Sequence, residues 1–410
     1  MSPGLKRILL ILALLTVSAL LAWAIYTLFF KAAPPVIPLG GTRPVGTTGQ
    51  LPGAGERVPG AGEIAPGAGQ PGVLPAGGTT PLPPPSYFTP EPVSQIGTEA
   101  ALFPSVDAGG DLRYHNPADG KFYQLLPNGQ AQALSDQVFY NVNKVTWAKT
   151  ANKAVLEYPD SSKIIYNFDK KTQATLPKHW EEFSFSPDSN EVAAKSLGLS
   201  PENRWLVVTK DDGTGTQLIE ALGNNADRVN IDWSPSRQTV ALSRTGAPQG
   251  ADRQEVLFVG LNGENFKSTV VEGLDFMPQW SPSGKKLLYS VDSARTDFKP
   301  EIWVVNAYGD TIGSNRQNIK LNTWANKCSF GDDNTLFCAV PRDLPQGAGM
   351  SPKIADTIPD DLYKIDLKTG LQTNVVLGNN FHINSIFYDS VKNKVMFTDP
   401  NKKGVFQVNL

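Results

Sequence analysis

The residue types that most often carry catalysis or bind metals are sparse in this 410-residue sequence. It contains two cysteines and three histidines, His115, His179 and His382. A multi-cysteine zinc site is therefore excluded, and a histidine-based metal site would also need carboxylate ligands. The sequence has no G-x-S-x-G, no H-E-x-x-H and no glycine-rich phosphate loop between a strand and a helix. We accordingly predict no catalytic residue, no metal site and no cofactor.

Two acidic clusters are weak candidates for a calcium site. Asp360 and Asp361 follow Pro359, and Asp107 and Asp111 flank two glycines, but neither cluster has the oxygen-ligand spacing of a calcium loop. We interpret both as solvated turn carboxylates. The formal net charge of −2 gives no support to nucleic-acid binding, because neutralising phosphates requires a basic surface.

The two cysteines fall within one predicted β-hairpin, KCSFGDDNTLFCAV. Cys328 and Cys338 would then lie opposite or nearly opposite each other on antiparallel strands, within reach of a disulfide. Two free, buried cysteines are the alternative, since unpaired cysteine is often buried. We predict the disulfide because it would persist in an extracytoplasmic domain.

The N-terminal part of the chain predicts a membrane anchor and a spacer. Ile8 to Phe30 is an uncharged run of 23 residues, about 34 Å long as a helix, which is enough to cross a bilayer core of about 30 Å. We predict a signal anchor at residues 1–31 with the N-terminus in the cytoplasm; a cleaved signal peptide is the alternative. Residues 32–90 repeat PGAG and end in PLPPPS, which indicates a disordered Pro/Gly-rich spacer.

Residues 91–410 repeat one phrase in which an aromatic residue is followed by a serine-proline turn and an apolar run. FSFSPDSNEVAA, IDWSPSRQTVALS and PQWSPSGKKLLYS are the clearest copies. Short β-type segments with turn signals between them fit four-stranded propeller blades, in which the large ring fills the space between neighbouring sheets. Aligning the copies gives seven starts, at Ser105, Trp147, Phe185, Trp233, Trp280, Ser329 and Tyr388.

The seventh copy ends at its third strand, because the chain stops at Leu410. A ring of blades with one unpaired edge would invite aggregation. We therefore predict an all-β, seven-bladed propeller in which residues from about Glu91 to Gly97 supply the missing outer strand. Six or eight blades are the alternatives.

The three clear copies resemble the repeats of TolB-type and WD-repeat-like propellers. The match is fainter in the other four copies, and all seven together cover about three quarters of the chain. A membrane segment and spacer stand here in place of the N-terminal α/β domain of TolB proteins, so no TolB partner is transferred. The resemblance implies a noncatalytic protein-interaction platform in the cell envelope.

Loop lengths predict where a ligand would bind. The connections between second and third strands are long in four copies (196–204, 244–254, 292–300 and 341–361), and in a propeller they share one face with the links between blades. Long loops on a rigid scaffold usually carry binding, although the longest could also be a solvated insertion. The predicted binding residues on this face are Arg244, Arg253, Arg295, Asp297, Arg342, Asp343, Asp360 and Asp361, together with the link residues His179 and His382.

These features predict a membrane-tethered, extracytoplasmic propeller that binds a protein, a peptide or a cell-wall component. The alternative is an envelope enzyme of the glycan hydrolase or lyase type, with its site at the mouth of the propeller channel. Paired carboxylates about 5 to 10 Å apart would be the mark of such an enzyme.

Overall fold

The computed structural model describes residues 16–17, 93–126, 128–250 and 252–410. The predicted membrane segment from Ile8 to Phe30, apart from residues 16 and 17, and the predicted spacer 32–90 lie outside these residues. Among the residues described, no helix has the length and apolarity that a membrane span requires.

The described part of the chain folds into seven four-stranded antiparallel sheets, as the repeats predict. Blades 1 to 3 consist of β2 (Leu102–Val106), β3 (Leu112–Asn116), β4 (Lys121–Leu125) and β5 (Ala131–Ala133); β6 (Lys144–Trp147), β7 (Lys153–Glu157), β8 (Lys163–Asn167) and β9 (Thr172–Leu176); and β10 (Trp180–Phe185), β11 (Glu191–Leu197), β12 (Arg204–Lys210) and β13 (Gln217–Ala221).

Blades 4 to 6 follow the same order from the inner to the outer strand. They consist of β14 (Val229–Ile231), β15 (Ala241–Ser243), β16 (Arg253–Val259) and β17 (Thr269–Glu272); β18 (Leu274–Trp280), β19 (Lys286–Asp292), β20 (Pro300–Asn306) and β21 (Gln317–Asn318); and β22 (Cys328–Asp332), β23 (Thr335–Pro341), β24 (Asp360–Asp366) and β25 (Gln372–Val375).

Blade 7 joins the two ends of the propeller. It contains β26 (Ser385–Asp389), β27 (Lys394–Asp399) and β28 (Lys402–Asn409), and its outer strand is β1 (Ser94–Gly97) from the other end of the propeller. Ser94 pairs with Gln407 and Gly97 with Val405, so the predicted ring closure is confirmed. Gly404 is required at this joint, because its φ is +105° and a Cβ there would overlap the Gly97 carbonyl.

Short 3₁₀ helices are confined to connections and links. They span Pro201–Asn203, Gly223–Arg228, Ala294–Thr296, Gly309–Thr311, Ala325–Lys327, Ala348–Met350 and Pro352–Thr357.

The apolar core consists of seven clusters between blades, each formed by two neighbouring blades of the described propeller. Leu112 and Tyr114 of blade 1 pack with Met396 and Val405 of blade 7, so the series closes into a ring. Burial of apolar surface contributes roughly 25 cal/mol per Å². Each blade is therefore stabilised mainly by its two neighbours, which explains why an aromatic ring recurs at the inner strand.

The repeated serine-proline phrase forms the turn between the first and second strands. Ser186, Ser234 and Ser281 are fully buried at its start. The hydroxyl groups of Ser186 and Ser281 each accept a hydrogen bond from a backbone N–H five residues later. The buried serine hydroxyl thus stabilises the turn by accepting a backbone hydrogen bond, which explains why serine recurs at this position.

Cys328 and Cys338 are directly opposite each other on β22 and β23, and the structure joins them in a disulfide. The bond lies inside blade 6, where both residues are buried against the cluster shared with blade 5.

Candidate functional site

One face of the propeller carries the long connections. They join second to third strands at 198–203, 244–252, 293–299 and 342–359, and the links between blades lie on the same side by the order of the strands. We call this side the loop-rich face. The predicted clustering of long loops on one face therefore follows from the observed strand order.

A cavity of about 390 Å³ opens on the loop-rich face where blades 4, 5 and 6 meet. Its polar lining comes from Asn230, Arg244, Asp275, Ser290 and Asp292, which lie on or beside β14, β15, β18 and β19. Its apolar lining includes Phe276, Met277, Pro278, Val291, Pro300, Trp324, Met350 and Pro352, with Gly349 at the same wall. A few polar groups on a mostly apolar wall are typical of ligand sites.

Two carboxyl groups meet at this cavity. The pairing of β18 with β19 shifts between Leu274 and Met277, and the extra residues of this bulge include Asp275, whose φ is +51°. Leu274 is paired with Asp292, so the bulge brings Asp275 beside the last residue of β19. The Asp275 carboxyl group is close enough to that of Asp292 to affect its pKa. Asp292 is only 1% exposed, and burial, followed by the neighbouring Asp275, raises its pKa to about 6.

Four polar atoms of the cavity lining are buried and have no hydrogen-bond partner within the described chain: Asn230 Oδ1, Arg244 Nε, Ser290 Oγ and Asp292 Oδ2. Ser290 and Asp292 are each 1% exposed. A buried polar atom without a partner costs about 1–3 kcal/mol, so such atoms are uncommon in folded proteins. Their convergence on one cavity indicates that a ligand or water supplies the missing partners.

The longest connection, 342–359, covers one side of the cavity. Leu344, Ala348 and Ala355 pack with Trp324 in a small apolar cluster, so this connection is anchored. Its backbone is also tied to the neighbouring connection, because Gly349 N–H donates to the Phe298 carbonyl at 2.7 Å. A Cβ on Gly349 would lie 2.5 Å from the Asp292 Cβ, so only glycine allows this close approach.

Most of the basic residues predicted to bind a ligand are engaged in ion pairs. Arg253 and Arg295 lie 3.4 and 3.2 Å from the carboxylate of Glu272, which also accepts a 2.7 Å hydrogen bond from Arg316. Glu272 is buried, whereas the predicted arginines are about half exposed. The structure therefore places Arg253 and Arg295 in an ion-pair network around Glu272 on the loop-rich face. Neither arginine lines the cavity.

Two of the predicted acidic residues, at the start of β24, are also paired. Asp360 is fully buried, with its carboxylate 2.9 Å from the Lys327 ammonium. Burial raises the pKa of Asp360 to about 6, although Lys327 acts against this rise. Asp361 lies 2.9 Å from Arg342, which also donates to Asn380 at 2.7 Å.

The other predicted residues are dispersed over the face. His179 is exposed and lies 3.2 Å from the Ser196 hydroxyl, while the backbone N–H of His382 donates to Asp399. Asp297 and Asp343 are exposed and lie outside the cavity lining. Arg244 alone among the predicted residues lines the cavity, and its guanidinium donates to the Asp227 carbonyl at 2.9 Å.

The sequence reasoning missed Asp275, Asp292, Ser290 and Asn230. One signal was available for two of them: in KLLYSVD of β19, Ser290 and Asp292 lie on the same side of the strand as the buried Leu288. Polar residues on a side that packs against the next blade are unusual. Among the residues described, no group of three or more His, Cys, Asp or Glu side chains is arranged to hold a metal ion.

No protein-family model matches the chain, and no curated protein matches it. Among solved structures, it is similar to an oligogalacturonate lyase in complex with manganese, at 13% identity and a TM-score of 0.53, over 78% of this chain and 93% of that chain. It is similar to the β-propeller domain of Myceliophteria thermophila Cps50 (Swd1), at 11% identity and a TM-score of 0.52, over 77% of this chain and 98% of that chain.

TolB from Acinetobacter baumannii is also similar, at 12% identity and a TM-score of 0.41, over 64% of this chain and 62% of that chain. The seven sheets and the similarity to the Cps50 (Swd1) domain confirm the predicted resemblance at the level of the propeller fold. These identities show the fold alone, and the TolB similarity is too low to carry a further argument.

Proposed function

We propose that this protein is a noncatalytic recognition module that binds a segment of another protein, or a peptide, in the cavity of the loop-rich face. The observation that carries the proposal is the convergence of four unpartnered buried polar atoms on one partly apolar cavity. The cavity volume of about 390 Å³ lies at the low end of the range for sites that take small ligands. It suits one or two side chains of an extended segment.

Exposed apolar side chains around the cavity support a protein ligand. Leu274 begins β18 and is 51% exposed, and Met350 on the longest connection is 57% exposed. Leu102, Leu199 and Val376 are also exposed, but they lie on other blades or in the link after blade 6, outside the cavity lining. Exposed apolar residues beside polar groups are typical of interaction surfaces.

We further propose that the propeller is held outside the cytoplasm by the segment from Ile8 to Phe30 and the spacer 32–90. The 23-residue uncharged run and the disulfide between Cys328 and Cys338 support this location. Deleting residues 8–30 should move the protein from the membrane fraction to the soluble fraction. Membrane association that survives this deletion would contradict the tether.

An envelope enzyme is the second candidate, and the carboxyl pair of Asp275 and Asp292 is the observation that favours it. The carboxyl group of Asp275 is close enough to that of Asp292 to raise its pKa directly. Glycosidases instead hold their two carboxyl groups about 5 Å or more apart. The geometry therefore fits binding better than glycan hydrolysis. Turnover of a glycan that Asp275→Asn abolishes would reverse this preference.

The recognition function is tested by selecting peptides from a random display library on the full chain. We expect enriched sequences whose binding is weakened in Met350→Gln and retained in Tyr308→Gln. Tyr308 is a matched control, because it is also exposed (46%) and lies between β20 and β21, on the opposite face. The proposal fails if no sequence is enriched, or if the enriched sequences bind both variants equally.

A further inference from the structure

We propose that the cavity of the loop-rich face recognises a cationic side chain, that of a lysine or an arginine, with Asp275 and Asp292 as its charged acceptors. This inference rests on the proposed recognition function and specifies the group that enters the cavity. Its supports are the hydrogen-bonding character of the unpartnered atoms, the charge of the lining and the shape of the wall.

The unpartnered atoms of the cavity lining are mainly acceptors. Asn230 Oδ1 and, in the ionised acid, Asp292 Oδ2 can only accept hydrogen bonds, while Ser290 Oγ can both accept and donate. Arg244 Nε is the one obligatory donor among the unpartnered lining atoms of the described residues. Acceptors left unpaired in a buried site call for a ligand that carries several N–H groups, which an ammonium or a guanidinium supplies.

The charge of the lining favours the same kind of ligand. Two carboxyl groups and one guanidinium line the cavity, so its formal charge is −1 when both acids are ionised. The Arg244 guanidinium already donates to the Asp227 carbonyl, whereas Asp292 Oδ2 has no donor within the described chain. A ligand cation would supply a donor to Asp292 Oδ2, and it would relieve the repulsion between the two carboxylates.

The wall of the cavity fits the apolar stem of a long basic side chain. Met277, Phe276 and Trp324 line it together with Met350 on the covering connection. Lysine and arginine bury their methylene stems against apolar surface while the charged end reaches polar partners. A short cation without such a stem would leave this part of the wall uncovered.

The methionines of the chain provide a direct readout. Met277 and Met350 line the cavity, whereas Met396 is 2% exposed in the cluster between blades 1 and 7. The full chain is labelled with ¹³C at the methionine methyl groups and titrated with acetyl-Gly-Lys-Gly-amide. The same tripeptide with norleucine keeps the stem without the charge, and the one with glutamate reverses the charge.

We expect the lysine tripeptide to shift the Met277 and Met350 signals and leave Met396 unchanged, while the norleucine and glutamate tripeptides shift none of them. Asp275→Asn should weaken binding of the lysine tripeptide at least tenfold. Asp297→Asn is the matched control, because Asp297 is an exposed acid on the same face that does not line the cavity. It should bind the lysine tripeptide as the wild type does.

Each other outcome overturns the inference. Equal shifts with norleucine would show an apolar pocket, and shifts with glutamate would show that Arg244 dominates. The absence of shifts with all three tripeptides would show that water satisfies the unpartnered atoms. The recognition function itself fails only if the peptide selection finds no sequence whose binding depends on Met350, so the two failures can be told apart.

Discussion

Replacing Lys327 with methionine should destabilise the propeller strongly. The Lys327 ammonium lies 2.9 and 3.0 Å from the two oxygens of Asp360, and the side chains are 6% and 0% exposed. Without Lys327, the carboxylate would keep one close donor, the Ile383 N–H at 2.6 Å. Breaking a buried ion pair on one side costs about 3–5 kcal/mol. We expect a loss of that size in the free energy of unfolding at pH 8.

The loss in the free energy of unfolding caused by Lys327→Met should be smaller at low pH than at high pH. Burial raises the pKa of Asp360 to about 6 even with Lys327 present, so the folded state favours the neutral acid. Stability from this group is greatest at low pH and is lost as the pH rises through 6. Removing Lys327 raises the pKa of Asp360 further. The variant should therefore differ less from the wild type at pH 5 than at pH 8.

Urea unfolding of the full chain, followed by tryptophan fluorescence at both pH values, measures this effect. The neighbouring pair of Arg342 and Asp361 is the matched control, because its side chains are 44% and 35% exposed. Exposed pairs contribute about 0–1 kcal/mol, so Arg342→Met should have little effect. A loss below 1 kcal/mol for Lys327→Met at pH 8, or an equal loss at the two pH values, would refute the reasoning.

Four further outcomes are expected. Replacing Cys328 and Cys338 with alanine should lower the free energy of unfolding by about 2–3 kcal/mol in urea titrations, because the disulfide closes a loop about ten residues long; an unchanged midpoint would contradict this. Burial lowers the pKa of His115, so the stability that this residue contributes is lost as the pH falls below about 6.5. The His115→Gln variant should therefore lose less stability than the wild type between pH 7 and pH 5. Equal losses in the two proteins would argue against this role. Replacing residues 94–97 with a Gly-Ser segment should expose the edge of β28 and cause aggregation in light scattering; a monodisperse protein would refute ring closure by β1. In calorimetric titrations, affinity for the lysine tripeptide should fall from pH 8 to pH 5. Protonation of Asp292 removes one of the two carboxylate charges and leaves Asp275 opposed by Arg244 in the cavity. A pH-independent affinity would exclude Asp292 as an acceptor.

The propeller was predictable because its signal repeats. An aromatic residue, a serine-proline turn and an apolar strand occur together in three copies, and a looser version of the pattern marks the other four blades. Blade 1 is the weakest copy, yet it forms a complete sheet. The strand from Ser94 to Gly97 could be predicted from the requirement that the ring close, and it pairs with β28 as expected.

The charged residues of the loop-rich face were less predictable, because their roles depend on partners that are distant in sequence. Asp360 follows a proline in a long polar connection, a setting that indicates exposure. Asp360 is instead buried, and it pairs with Lys327, which lies 33 positions earlier in the link between blades 5 and 6. Arg295 likewise meets Glu272 and Asp252 of blade 4. Sequence composition cannot distinguish these paired charges from free ones.

The cavity depends on a bulge that the sequence does not reveal. Asp275 reaches Asp292 only because the pairing shifts between Leu274 and Met277. The unpartnered state of Ser290 and Asn230 is likewise a property of the packed blades, since both residue types commonly bond to nearby backbone. These residues could be recognised only after the strands had been placed.

Hydrogen–deuterium exchange of the full chain, with and without the peptide that the display selection enriches most, tests the central claim most directly. Our account predicts slower exchange at residues 274–278 and 342–359, which border the cavity. The turns at 281–285 and 390–393 on the opposite face should exchange at unchanged rates. Protection confined to those turns or to the outer strands, with 274–278 and 342–359 unaffected, would contradict a binding site on the loop-rich face.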